Sequence, residues 1–219
     1  MAAPDHFKVA HNIHKLYDVG PYPNFSCPIE LFKEIICINY LRHQVATDIS
    51  VARAEATKPT RTVAILNRIL AFSPMDSIKN TKMQQREDIL AMIRLFRLTV
   101  LFYALNSLPV PSDYTASTID NPIPPTRRSE LRKEMFDLMF QWRRAPSVIN
   151  TAFWMWIPIA IEAAKGSDEE RKFVMDELEY MTQPSGGPPA ILINLIKPFW
   201  ASGETDWNKC FDEPNYLVA

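Results

Sequence analysis

Punctuation by glycine and proline constrains this chain more than any other feature. Five glycines stand against 18 prolines in 219 residues. Gly20, Gly166, Gly186, Gly187 and Gly203 each fall where an apolar segment of helical period stops, the position that helix C-termini prefer. Most prolines also mark segment edges. Pro28 and Pro59 read as first-turn residues, while Pro74 and Pro146 follow helical stretches. No strand pattern competes, so the expected fold is all-α.

Between these marks the sequence predicts about eight helices. A weak first segment covers about 5–19. The second, about 28–48, carries Ile29, Phe32, Ile35, Ile36, Ile38 and Leu41 and is apolar nearly all round, which predicts a buried central helix. The third, about 59–72, sets Val63, Leu66, Ile69 and Leu70 at helical spacing. The fourth and longest, about 82–108, places Ile89, Ile93, Phe96, Val100, Ala104 and Leu108 on one face. Residues 109–125 hold five prolines among Ser, Thr, Asp and Asn, so a loop is expected there, reaching to about 127. Helices at about 129–144 and 147–165 follow, the latter aromatic and interrupted by Pro158. Ser167-Asp-Glu-Glu170 is a capping box opening the seventh. After the turn 183–189 an eighth runs to about 202. With no repeat and no break beyond the Pro-rich loop, residues 1–219 are expected to form a single domain, an irregular helical bundle.

Composition narrows the partners. Lys and Arg number 24 against 25 Asp and Glu, without the basic excess of nucleic-acid binders. Arg127, Arg128, Arg132 and Lys133, the densest basic group, read as a solvated helix start. The three cysteines, Cys27, Cys37 and Cys210, form no CxxC pair, so they read as reduced and mostly buried. The N-terminus lacks an apolar signal region. The longest apolar run, 152–161, is too short to span a bilayer. These features predict a protein of the cytosol or nucleus, neither secreted nor bound to nucleic acid or membrane.

Three stretches carry a resemblance. Cys27-Pro-Ile-Glu-Leu-Phe-Lys-Glu-Ile-Ile-Cys-Ile-Asn-Tyr-Leu-Arg42 is similar to an early helix of the regulatory domain of fungal zinc-cluster transcription factors. Leu90 to Leu108 resembles that family's long helix. Trp154 to Ala163, with Trp154, Glu162 and Ala163 matching, resembles a later aromatic one, and Trp200 and Asp206-Trp207 resemble the closing tryptophans. The chain departs from the pattern at Met155, Pro158 and Ile159-Ala160. The family reads DNA through a six-cysteine binuclear zinc cluster, which three cysteines cannot build. The resemblance therefore implies a stand-alone sensor domain without its DNA reader.

Candidate sites cluster on two aromatic, proline-interrupted stretches, Phe153-Trp154-Met155-Trp156-Ile157-Pro158 and Ile196-Lys197-Pro198-Phe199-Trp200. An internal proline removes one hydrogen bond and kinks the axis, here freeing the carbonyls of Trp154 and Asn194. Kinked aromatic helices leave gaps, and small-molecule sites are mostly apolar pockets with a few polar groups. An ordinary aromatic core is the alternative. Tyr40, Tyr103, Trp142, Trp154, Trp156 and Trp200 are expected to line the ligand. Glu162 and His43 are the candidate catalytic residues: a carboxyl on an apolar stretch can act as an acid, and a histidine can donate to a bound carbonyl. The alternatives are structural: a hydrogen bond or an arginine partner for Glu162, and a satisfied structural histidine for His43. His6, His11 and His14 lack the further ligands that zinc needs. No P-loop, GxGxxG or GxSxG motif occurs, so neither a cofactor nor a metal is expected.

Two functions are in view. One is a ligand-binding domain turned to cyclising or isomerising an apolar fungal secondary metabolite without cofactor, a pericyclase or Diels–Alderase, by holding a flexible substrate in one reactive shape. The other is a transcription regulator that works by ligand sensing or protein contact rather than by binding DNA. The expected partner is an apolar small molecule, and a homodimer is left open.

Overall fold

The computed structural model describes residues 27–47, 51–78, 87–108, 123, 125–141, 154–182, 187–205 and 210. Among them the chain is all-α, as expected, with eight helices and no strand. They are α1 (Ile29–Thr47), α2 (Val51–Ala71), α3 (Pro74–Ile78), α4 (Glu87–Ser107), α5 (Pro125–Gln141), α6 (Trp156–Ala164), α7 (Asp168–Thr182) and α8 (Gly187–Ala201). The expected segment 5–19 and most of the Pro-rich loop lie outside the described residues. Two compact units divide the chain, Met1–Leu131 and Arg132–Ala219, with the division inside α5.

Several boundaries differ from the sequence reading. Helix α2 begins at Val51 and carries Pro59 inside it, where a first-turn proline was expected. Good helix formers on the N-terminal side (Ala52, Arg53, Ala54, Glu55, Ala56) offset the lost hydrogen bond. Pro74 opens the short α3 instead of merely following α2. Its first turn is held by Ser73, whose Oγ accepts from the Asp76 N–H at 3.4 Å. Helix α5 starts at Pro125, a turn inside the expected loop, because proline suits the first helical position. Gly187 opens α8 at φ 29° rather than closing a segment, whereas Gly203, at φ 73°, does follow the end of α8.

The centre of the first unit is α4, not α1. Leu95, Leu98, Leu101 and Phe102 are as buried as the predicted face of Ile93, Phe96, Val100 and Ala104, so the helix is covered all round from Leu98 to Ala104, while Glu87 and Arg94 near its start are exposed. Helices α1, α2 and α3 pack on it. Helix α1 buries Leu31, Ile35, Ile36, Ile38 and Leu41 but leaves Glu30 in solvent. Thr99, buried in α4, donates to the Leu95 carbonyl at 2.7 Å and so carries no unmet donor. Residues 89–107 have the length and apolarity of a membrane span, and 61% of the most apolar window lies buried within the protein.

The second unit is built around α6. Met155 through Ala163 are all at most 2% exposed or otherwise buried, and α7 and α8 pack on this helix and on each other. Phe140 of α5 stacks at a tilt on Phe173 of α7, ring centroids 4.7 Å apart.

Candidate functional site

The long kinked helix expected over 147–165 is replaced, within the described residues, by a tight turn at Trp154–Met155 and a helix from Trp156. Pro158 therefore stands in the first turn, where its missing N–H would have had no intrahelical partner. A proline at that position costs α6 no intrahelical hydrogen bond. Pro198 does lie inside α8, but it and Asn194 are both exposed, so the interrupted turn faces solvent rather than a cleft.

The C-terminal end of α6 is closed by charge. Glu162 is 1% exposed, and its carboxylate meets Lys165 Nζ at 2.9 Å and Arg132 Nε at 3.8 Å. Arg132 also donates through Nε and Nη2 to the Glu162 carbonyl, at 3.2 and 3.1 Å, and pairs with Glu170 of α7. Its guanidinium lies 4.9 Å from the Phe136 ring centroid. Arg171 adds bonds to the carbonyls of Ala164 and Gly166, at 3.3 and 3.0 Å. Cations thus complete the carbonyl end of the helix, where the dipole favours them. The capping box forms as read: Glu170 N–H donates to Ser167 Oγ at 3.2 Å, and Ser167 N–H to Glu170 Oε2 at 2.9 Å.

This corrects the reading of Arg132 as part of a solvated helix start. Arg127 and Lys133 are exposed, whereas Arg132 is only 20% exposed and ties α5 to α6 and α7. Sequence alone held one clue, Gly166. A Cβ built there would run into Arg132 Nη2 and Glu170 Oε2. Both Glu162 oxygens face cations, the geometry of a structural ion pair with an arginine partner.

The tryptophans separate by role. Trp200, half-buried on α8, donates from Nε1 to the Ala160 carbonyl at 3.1 Å and so pins α8 to α6. Trp156 is fully buried, and its Nε1 has no hydrogen-bond acceptor among the described residues. Trp154 is half-buried beside it in sequence. Trp142 lies outside the described residues.

Tyr40, Tyr103 and His43 belong to the first unit. Tyr103 is buried on α4; its hydroxyl donates to Asn39 Oδ1 and accepts from Arg42 Nη1 at 3.1 Å, both on α1. Burial raises the Tyr103 pKa, and the Arg42 charge opposes part of that rise. Tyr40 accepts from Gln44 Nε2 at 2.7 Å, and Gln44 in turn accepts from Arg61 of α2 at 2.9 Å. The backbone of His43 is helical, and its side chain lies outside the described residues. Asn39, Arg42 and Gln44 were missed because amides and guanidinia on a helix carry no signature until their partner helix is known.

No family model matches the chain, and no solved structure does. One curated protein, described as "Phomenoic acid biosynthesis cluster-specific transcriptional regulator" from Leptosphaeria maculans (strain JN3), is 26% identical over 220 residues. The likeness is to a transcriptional regulator. It covers 95% of this chain but 39% of that protein, so the chain spans about two fifths of its relative's length. It supports the resemblance to fungal regulators read from the helices at 27–42, 90–108 and 154–163.

Proposed function

We propose that this chain is the helical regulatory part of a transcription regulator governing a set of biosynthetic genes, and that it acts by sensing a small molecule or by protein contact. One observation carries this role: the similarity to a cluster-specific regulator runs across 95% of the chain. The all-α fold is consistent with it. A net charge of −1 gives these residues no electrostatic attraction to DNA, which fits an input role rather than a DNA-reading one. Nuclear localisation goes with this function.

Cofactor-free cyclisation has less behind it. The Glu162 carboxylate is held by Lys165 and Arg132, and the Tyr103 hydroxyl by Asn39 and Arg42, so neither is a group left over for chemistry. The relative's description also names regulation, not catalysis. Deleting the gene in its source organism separates the two. Transcripts of the neighbouring biosynthetic genes should fall together and recover with the intact gene. Unchanged transcripts, combined with accelerated cyclisation of a pathway precursor by the purified chain, would replace regulation by catalysis.

A further inference from the structure

The two ends of α6 are treated differently. Its carbonyl end is completed by Arg132, Arg171 and Lys165. At its N–H end the cap residue Met155 makes no side-chain cap hydrogen bond, and Pro158 supplies no donor. That end is also buried, with Met155 at 2% and Trp156 and Ile157 at 1% exposure. A helix start without a side-chain cap depends on its backbone turn or on a bound group to meet its first N–H donors. The first residue of the helix adds a donor that is unmet. The indole N–H of Trp156 is buried and has no acceptor among the described residues. Trp156 is the first residue of α6, and helical side chains tilt toward the helix N-terminus, so this indole belongs to the uncapped end. Native proteins rarely leave buried donors unmet, and each such group calls for a partner.

We propose that the buried start of α6 binds the carbonyl oxygen of an apolar small molecule, with the indole N–H of Trp156 as its principal donor. This rests on the ligand-sensing form of the function proposed above and gives that ligand a chemistry. A neutral carbonyl suits the site better than a carboxylate. The turn from Met155 to Ile159 is apolar throughout and brings no cation, and a bare charge there would be costly to bury. A ketone or ester oxygen accepts from the indole and is favoured by the positive end of the helix dipole, while its hydrocarbon part matches Met155, Ile157 and Ile159.

Three probes of equal length test it on the intact chain: 2-undecanone, undecane and undecanoate. Indole N–H signals are followed by NMR with labelled tryptophan, and the Trp156 signal is assigned by its loss in Trp156→Phe. The ketone should move that signal downfield and bind at least about tenfold more tightly than undecane. In Trp156→Phe that preference should vanish. Where this variant fails to fold, the titration of the unaltered chain decides alone. Equal binding of ketone and alkane, a stationary Trp156 signal, or binding of undecanoate alone would each overturn the proposal. So would a resident water on the indole that persists at saturating ketone. Transcript levels test the regulatory role and this titration tests the site, so either can fail without the other.

Discussion

Gly166 shows how one small residue can hold a charged network in place. Its φ is not in the left-handed region, so the requirement is space, not backbone freedom. Because Arg132 is fastened at once to the Glu162 carbonyl and to Glu170, it cannot swing aside for a methyl group without breaking those bonds. Gly166→Ala should cost about 1–3 kcal/mol, read as a lower urea midpoint with unchanged helical circular dichroism. Two other residues make stability depend on pH. Burial and the neighbouring Glu30 push the Cys27 thiol up from 9.0, and burial raises Tyr103 from 10.0. Both hold their protons more tightly folded than unfolded. Their contribution is whole below the unfolded values and is lost as pH climbs toward the folded ones. The urea midpoint should therefore fall between about pH 9 and about pH 11, and less steeply in Tyr103→Phe.

Among the elements, α4 and α7 make opposite predictions. Helix α4 is buried without a break from Leu98 to Ala104, as are Leu95 and Phe96, so this stretch has no face that tolerates a hole or a charge. Phe96→Ala should cost about 3–5 kcal/mol, and a lysine at Leu98 or Leu101 should prevent folding, measured as loss of the cooperative urea transition. Helix α7 is amphipathic, and its start depends on one hydroxyl. Ser167→Ala should cost about 1 kcal/mol, since it removes only the acceptor for the Glu170 N–H. That capping box was legible in the sequence because it is local. Which helix sits at the centre of the first unit was not: both α1 and α4 are rich in apolar residues, and only the packing of α1, α2 and α3 around α4 decides between them.

For the molecule as a whole, the thiols report on the fold without altering it. Cys27 and Cys210 are buried, and Cys37 is half-buried. Burial and Glu34 raise the Cys37 thiol as well, so it should react with a thiol reagent in the native chain more slowly than free cysteine, and the other two only after urea unfolding. The sequence by itself determined the helical class, most helix positions, the capping box and the likeness to fungal regulators. All of these depend on spacing along the chain, and a 3.6-residue period or a cap is set by near neighbours. Tertiary structure alone decided the partners of Glu162, the fate of Pro158 and the unmet donor on Trp156. Lys165 is a near neighbour of Glu162, but Arg132 lies 30 residues away, and the other two depend on where a helix begins in space; burial turns such choices into energy because water can no longer supply the missing bond.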